Sequence, residues 1–187
     1  MRFAALVIGI VLLAIGGASA QVNDRELLGQ LQKLFPKAAT FSAKSGSPAV
    51  YRAFGPAGAG KTEGELLGLA YWTTELEPLE RGFDGPIKML VGMNTIGEIA
   101  GVIVADHREP YGYFSVDLPQ WPRQFDGKSI RDQFKVGVDV DAISRATITV
   151  TSASRAIRNA SRKVARAHLA PPPAATAAPG AAVTPAQ

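Results

Sequence analysis

Ile87-Lys88-Met89-Leu90-Val91-Gly92-Met93-Asn94-Thr95-Ile96-Gly97-Glu98-Ile99-Ala100-Gly101-Val102-Ile103-Val104-Ala105-Asp106 decides the fold. Residues 87–93 and 98–106 are rich in apolar and β-branched side chains. They flank a turn-forming tetrapeptide, so the stretch reads as a β-hairpin. Upstream, residues 49–54 and 65–73 combine β-branched and aromatic side chains with polar interruptions, which predicts a second strand pair joined by a glycine-rich loop. The connections are too short for parallel crossovers, and the sheet is therefore expected to be mainly antiparallel and twisted.

Helices are expected on its flanks. Asn23, with Glu26 in the capping-box position, starts a helix that carries Leu27, Leu28, Leu31 and Leu34 on one face and is ended by Pro36. From 152 to 169 the helical period runs through Ala153, Ile157, Ala160, Val164 and Ala167, with Arg155, Arg158, Arg162, Lys163 and Arg166 on the outer face. That basic face reads as solvated, as a dock for an acidic redox partner, or as a membrane-surface patch. Residues 111–125, with prolines at 119 and 122 around Trp121, predict an irregular covering loop. A short helix near 128–134 and a strand at 136–140 follow. The sum is a single α+β domain.

The ends read differently. Arg2, the apolar run from Phe3 to Ile15 and Ala18-Ser19-Ala20 have the pattern of a signal peptide, so residues 1–20 are expected to direct export to the periplasm or another extracytoplasmic space, with an uncleaved anchor as the alternative. Residues 170–187 are mostly Ala, Pro, Thr and Gly and predict a disordered tail, leaving 21–169 as the domain.

Composition narrows the chemistry. The 187 residues contain no cysteine and two histidines, His107 and His168. Disulfides, iron–sulfur ligation, thioether haem attachment and cysteine zinc sites are excluded, so a redox role must rest on an organic cofactor. The net charge of +4 suits an anionic ligand, and an export signal argues against nucleic acid.

Gly55-Pro56-Ala57-Gly58-Ala59-Gly60-Lys61-Thr62 has the spacing of a phosphate-binding P-loop. Such a loop works by opening a helix whose N-terminus receives the phosphates. Here a strand-like run follows Thr62, and the stretch reads as a hairpin tip.

Asp141-Ala142-Ile143-Ser144-Arg145-Ala146-Thr147 lies at the approach to the last helix, where backbone N–H groups and the helix dipole favour an anion. Asp141 and Ser144 are short polar residues suited to fixing a turn, Ala146 is small, and Arg145 is positive. On its own this reads first as an ordinary Ser/Thr-rich helix entry. Two further stretches stand in order before it: Gly82-Phe83-Asp84-Gly85-Pro86-Ile87, and Asp106-His107-Arg108-Glu109-Pro110.

Together these three resemble the motifs of the FMN-binding domain family, found in the C component of the sodium-pumping NADH:quinone reductase, the G component of the Rnf complex and the extracytoplasmic domain of the nitrous-oxide reductase expression regulator. The His-Arg-Glu-Pro and Ser-Arg-Ala-Thr forms look most like the regulator branch. Many members have Gly where this chain has Arg145.

The resemblance implies FMN held covalently as a phosphoester of Thr147, loaded from FAD by a flavin transferase. It implies cofactor contacts from Asp141, Ser144, Arg145, Ala146, Thr149, Gly85, Pro86, His107 and Glu109, and a redox partner protein, with a membrane-bound one among the candidates. The loop from His107 to Phe114, with Gly85-Pro86, is the expected platform for the ring. His107 could donate to a flavin carbonyl or to Glu109, or serve the loop structurally. Tyr111, Tyr113 and Phe114 could stack on the ring or belong to the core. Lys88 reads as solvated rather than ligand-bound. The expected function is an exported electron carrier without substrate turnover of its own, against two alternatives: a flavin-dependent accessory or regulatory module of a respiratory pathway such as nitrous-oxide reduction, and a flavin-free binding module.

Overall fold

A computed structural model describes residue 22 and residues 24–169; the readings for 1–20 and 170–187 lie outside these, as does the Asn23 cap. The described residues form a five-stranded antiparallel meander in the order β1-β2-β3-β4-β5, flanked by helices. The strands are β1 (Thr40–Phe41), β2 (Tyr51–Phe54), β3 (Leu66–Trp72), β4 (Lys88–Asn94) and β5 (Ile99–Asp106). The expected α+β class and both hairpins are present. In the deciding hairpin Leu90 faces Ile103 and Val91 faces Val102. Its turn is closed by Asn94, whose side-chain oxygen accepts from the Ile96 and Glu98 amides at 3.1 and 2.9 Å.

Period-two alternation divides the strands between two cores. Leu69, Tyr71, Met89, Val91 and Met93 point to one face, where α4 (Thr147–His168) lies with Val150, Ile157, Ala160 and Val164. Ala70 and Leu90 point to the other, covered by Leu31, Leu34 and Phe35 of α1 (Arg25–Leu34) and the residue after it. Burying each large apolar side chain contributes about 1.5–3 kcal/mol, so α4 is held mainly by this face. Ion pairs tie it further: Arg155 bonds Glu80 at 2.7 Å and Lys163 bonds Glu77 at 2.8 Å. Inside, the Tyr71 hydroxyl donates to Ser161 at 2.7 Å, and burial pushes the Tyr71 phenol up.

Several expectations are corrected. The cap of α1 is Asp24, whose carboxylate accepts from the Glu26 and Leu27 amides at 2.9 and 3.3 Å. No helix forms at 128–134. The backbone there pairs with the hairpin, through the Ile99 amide on the Lys128 carbonyl and the Ile130 amide on the Gly97 carbonyl.

No strand forms at 136–140 either. The segment folds back on itself, with the Gly137 amide on the Val140 carbonyl at 2.7 Å and the Asp139 carboxylate accepting from the Phe134 and Lys135 amides. The covering loop contains two short helical turns, a 3-10 turn at Gly112–Phe114 and α3 (Gln120–Arg123), and buries Trp121. A further short helix, α2 (Thr73–Leu76), follows β3 directly.

α4 begins at Thr147, five residues before the expected start at 152. The P-loop-like stretch joins antiparallel β2 and β3, with the Gly55 amide on the Glu65 carbonyl at 2.8 Å. It is a hairpin tip and opens no helix.

Candidate functional site

Three segments far apart in sequence meet at the first turn of α4: residues 82–85, residues 107–112 and residues 145–149. Glu109 joins them. Its carboxylate is buried and accepts from the Phe83 and Asp84 amides at 2.9 Å each and from the Thr149 hydroxyl. A side chain at Gly82 would put a Cβ 2.4 Å from the Glu109 carboxylate, so only glycine leaves room for this contact. Of the roles open to His107, donation to the Glu109 side chain is not the one seen. Instead the Glu109 amide donates to His107 Nδ1 at 3.0 Å, and Nε2 lies 2.7 Å from Asp117. With Nδ1 accepting, the proton sits on Nε2 and points to Asp117. Both ring nitrogens are thus used within the loop, and the ring lies so close over Gly112 that a Cβ there would come within 2.1 Å of it.

In front of this buried latch is a hollow of about 280 Å³ lined by Phe83, Tyr111, Arg145, Thr147, Ile148 and Thr149. Its apolar walls face solvent: Phe83 is 68% exposed, Ile148 58% and Tyr111 43%. Exposed large apolar side chains gathered at one concavity are a common mark of a ligand or partner site. Tyr111 leans on Phe114, with ring centroids 5.3 Å apart, and Phe114 stacks edge-on with Tyr113 at 4.8 Å.

The two threonines of the hollow differ. Thr149 is 2% exposed and its hydroxyl is committed to Glu109. Thr147 is exposed, and its hydroxyl makes only a long bond, 3.5 Å, to the Ile143 carbonyl. It is also the first residue of a 22-residue helix whose cap, Ala146, offers no side-chain bond, and whose first turn holds no acidic residue. The opening N–H groups of a helix have no intrahelical partner and carry the positive end of its dipole. An anion on Thr147 would sit against them.

Arg145 stands beside Thr147 with φ of 67°, in the left-handed region that favours glycine. The turn before α4 is closed by the Ala146 amide on the Ile143 carbonyl at 3.1 Å. Asp141 is held through its amide, which donates to Gln124 Oε1 at 2.7 Å. The Asp141 and Ser144 side chains make no hydrogen bond among the described residues.

Of the residues named from sequence, the structure thus brings Arg145, Ala146, Thr147, Thr149 and Glu109 together. Gly85, buried under the Arg108 guanidinium, and Pro86 do not line the hollow. Lys88 is exposed and stacks over Trp72 at 4.6 Å. Phe83, quoted within the Gly82–Ile87 motif, and Ile148 are not among the contacts expected from sequence; an aromatic in a Gly-x-x-Gly turn, where no core position is expected, is the available signal for Phe83.

Comparison with known proteins gives the same region. Residues 82–162 match the family model of the FMN-binding domain, which bears out the resemblance drawn from the three motifs. Among curated proteins, the G component of the ion-translocating oxidoreductase complex of Shewanella baltica is 38% identical over 89 residues, covering 42% of each chain. The same component is 34% identical over 91 residues in Pseudomonas aeruginosa, and 32% over 88 in Vibrio vulnificus. The matched stretch spans about two-fifths of these relatives' length, 42% in each.

Proposed function

We propose that this chain, similar over residues 82–162 to the FMN-binding domain, is an electron-transfer flavoprotein that carries FMN as a phosphoester of Thr147. The observation that carries this reading is an exposed hydroxyl at the first position of an uncapped helix, beside a solvent-facing hollow walled by Phe83, Tyr111 and Ile148. These residues fit the group. The opening amides of α4 and Arg145 suit a phosphate, and the aromatic and aliphatic walls suit a flat apolar ring. FMN supplies one- and two-electron transfer when bound. Thr147 tethers it, and Glu109 keeps the Phe83 loop against α4 while occupying Thr149, which leaves Thr147 as the accessible acceptor of the two.

A covalent tether also removes the dependence of occupancy on free flavin. That matters in the extracytoplasmic setting, to which we assign the protein from its leader-like first twenty residues. Loading forms a bond from Thr147 Oγ1 to the FMN phosphorus as the FAD pyrophosphate bond breaks. AMP leaves and the hydroxyl proton is released. A flavin transferase is the loading partner in this reading, and a membrane-bound redox protein the electron-exchange partner.

Protein from a host with an active transferase is expected to be yellow, to stay yellow after denaturation, and to gain the mass of FMN less water. Thr147→Ala abolishes the gain, whereas Thr149→Ser retains it. Flavin released by denaturation alone, or label persisting in Thr147→Ala, refutes the proposal.

A further inference from the structure

On the outer side of α4, one turn beyond Thr147, a second hollow of about 480 Å³ is lined by Arg155, Arg158 and Arg162 on the helix, facing Arg131 and Lys135 on the opposite wall. Buried Phe134 and half-buried Val136 also line it. Of the five cations only Arg155 has a carboxylate partner among the described residues, Glu80. Arg158 bonds Asn159 Oδ1 at 3.1 Å and the Gln133 carbonyl at 3.5 Å. Arg162 bonds the Ile130 and Asp132 carbonyls at 2.8 Å each. Carbonyl bonds orient a guanidinium without cancelling its charge. The nearby Asp132 and Asp139 carboxylates are themselves engaged by backbone amides, those of Ser129 for Asp132 and of Phe134 and Lys135 for Asp139. The Arg131 and Lys135 side chains make no ion pair among the described residues.

We infer that this groove is a docking site for an acidic polypeptide segment of a partner protein. The cations do not converge on one point, as they would for a single phosphate. From Arg155 to Arg162 they extend about 10 Å along the helix, and a second row faces them. Strips of carboxylates on an extended segment match that spacing, with their methylenes over Phe134 and Val136. Charge complementarity of this kind sets encounter rate and orientation. Thr151 lines the same groove and lies one helical turn from Thr147, so a docked partner is held close to the proposed tether. Docking itself does not depend on flavin; its service to electron transfer rests on the preceding proposal.

The test uses the full chain, with and without the Thr147→Ala change, and a fluorescein-labelled glutamate/aspartate-rich peptide read by anisotropy. The peptide is expected to bind both forms equally and to weaken with added salt. Lys135→Glu with Arg158→Glu is expected to weaken it at least about tenfold, as close charge pairs at interfaces do. The control pair Arg25→Glu and Lys37→Glu, with the same change in net charge, leaves binding within about twofold, as expected for remote exposed charges screened by salt. The single change at exposed Lys135 weakens binding in the same direction without disturbing the Arg158 contacts.

Equal losses in both pairs would reveal only non-specific attraction and overturn the inference. So would binding of pyrophosphate or of phosphatidylglycerol vesicles to these residues in place of the peptide. Equal peptide binding by unlabelled Thr147→Ala protein keeps this result separate from the fate of the flavin proposal.

Discussion

Replacing Glu109 by Ala tests whether the latch holds the site together. The carboxylate accepts from two backbone amides and one hydroxyl, and hydrogen bonds to a charged acceptor contribute about 1.5–3 kcal/mol each. The three do not add in full. Asp84 and Phe83 are exposed, so water reaches their loop once the carboxylate is gone. Thr149 is 2% exposed, and its hydroxyl would be left without that partner. A loss of about 3–5 kcal/mol is the expected range for breaking a buried charged network.

Glu109→Gln keeps one acceptor oxygen but turns an NH2 toward a backbone amide, and should lose about 1–3 kcal/mol. Urea unfolding followed by far-UV circular dichroism measures both, with the slope unchanged if only stability moves. A midpoint for Glu109→Ala corresponding to a loss under about 1 kcal/mol would refute the argument.

Arg145→Gly should unfold at no lower urea concentration than the native chain, because glycine relieves about 1 kcal/mol of left-handed strain; Arg145→Val should lose about 1–2 kcal/mol at the same position. Deleting residues 56–61 from the hairpin tip should leave both the circular dichroism spectrum and the flavin content intact, and loss of flavin would contradict the assignment of that loop. Burial pushes the Asp139 carboxyl up, but the Lys135 and Phe134 amides and Lys128 outweigh it and hold it below its ordinary value. Its contribution is therefore fully present above the unfolded value of about 4 and is lost as pH falls through the lower folded value. Thermal unfolding between about pH 6 and about pH 2 should show a smaller acid loss for Asp139→Asn than for the native chain.

The sheet was legible because Leu90, Val91, Val102 and Ile103 carry strand composition on both sides of a turn whose chemistry is local. The start of α4 was not. Thr147-Ile148-Thr149-Val150-Thr151 is β-branched and poor in helix propensity; it is helical because Val150 is fully buried against the sheet, a tertiary fact. Residues 136–140 alternate like a strand, yet Gly137 and the Asp139 side chain turn the chain within five residues. At the site, the spacing of Thr147, Arg145 and Glu109 was readable as a motif. The separation of Thr147 from Thr149 by burial, and the use of both His107 nitrogens within the loop, depend on packing between segments distant in sequence and could not be read from it.

Among the described residues, the two long helices begin in opposite ways. A carboxylate on Asp24 closes the start of α1, while Ala146 leaves the start of α4 open. A Ser or Asp cap in place of Ala would add about 1 kcal/mol of stability. An Asp there would also set a fixed negative charge where the proposed phosphate would lie. The weakness of α4 at that end and its readiness for an anion are one property, and strengthening the first by a charged cap removes the second.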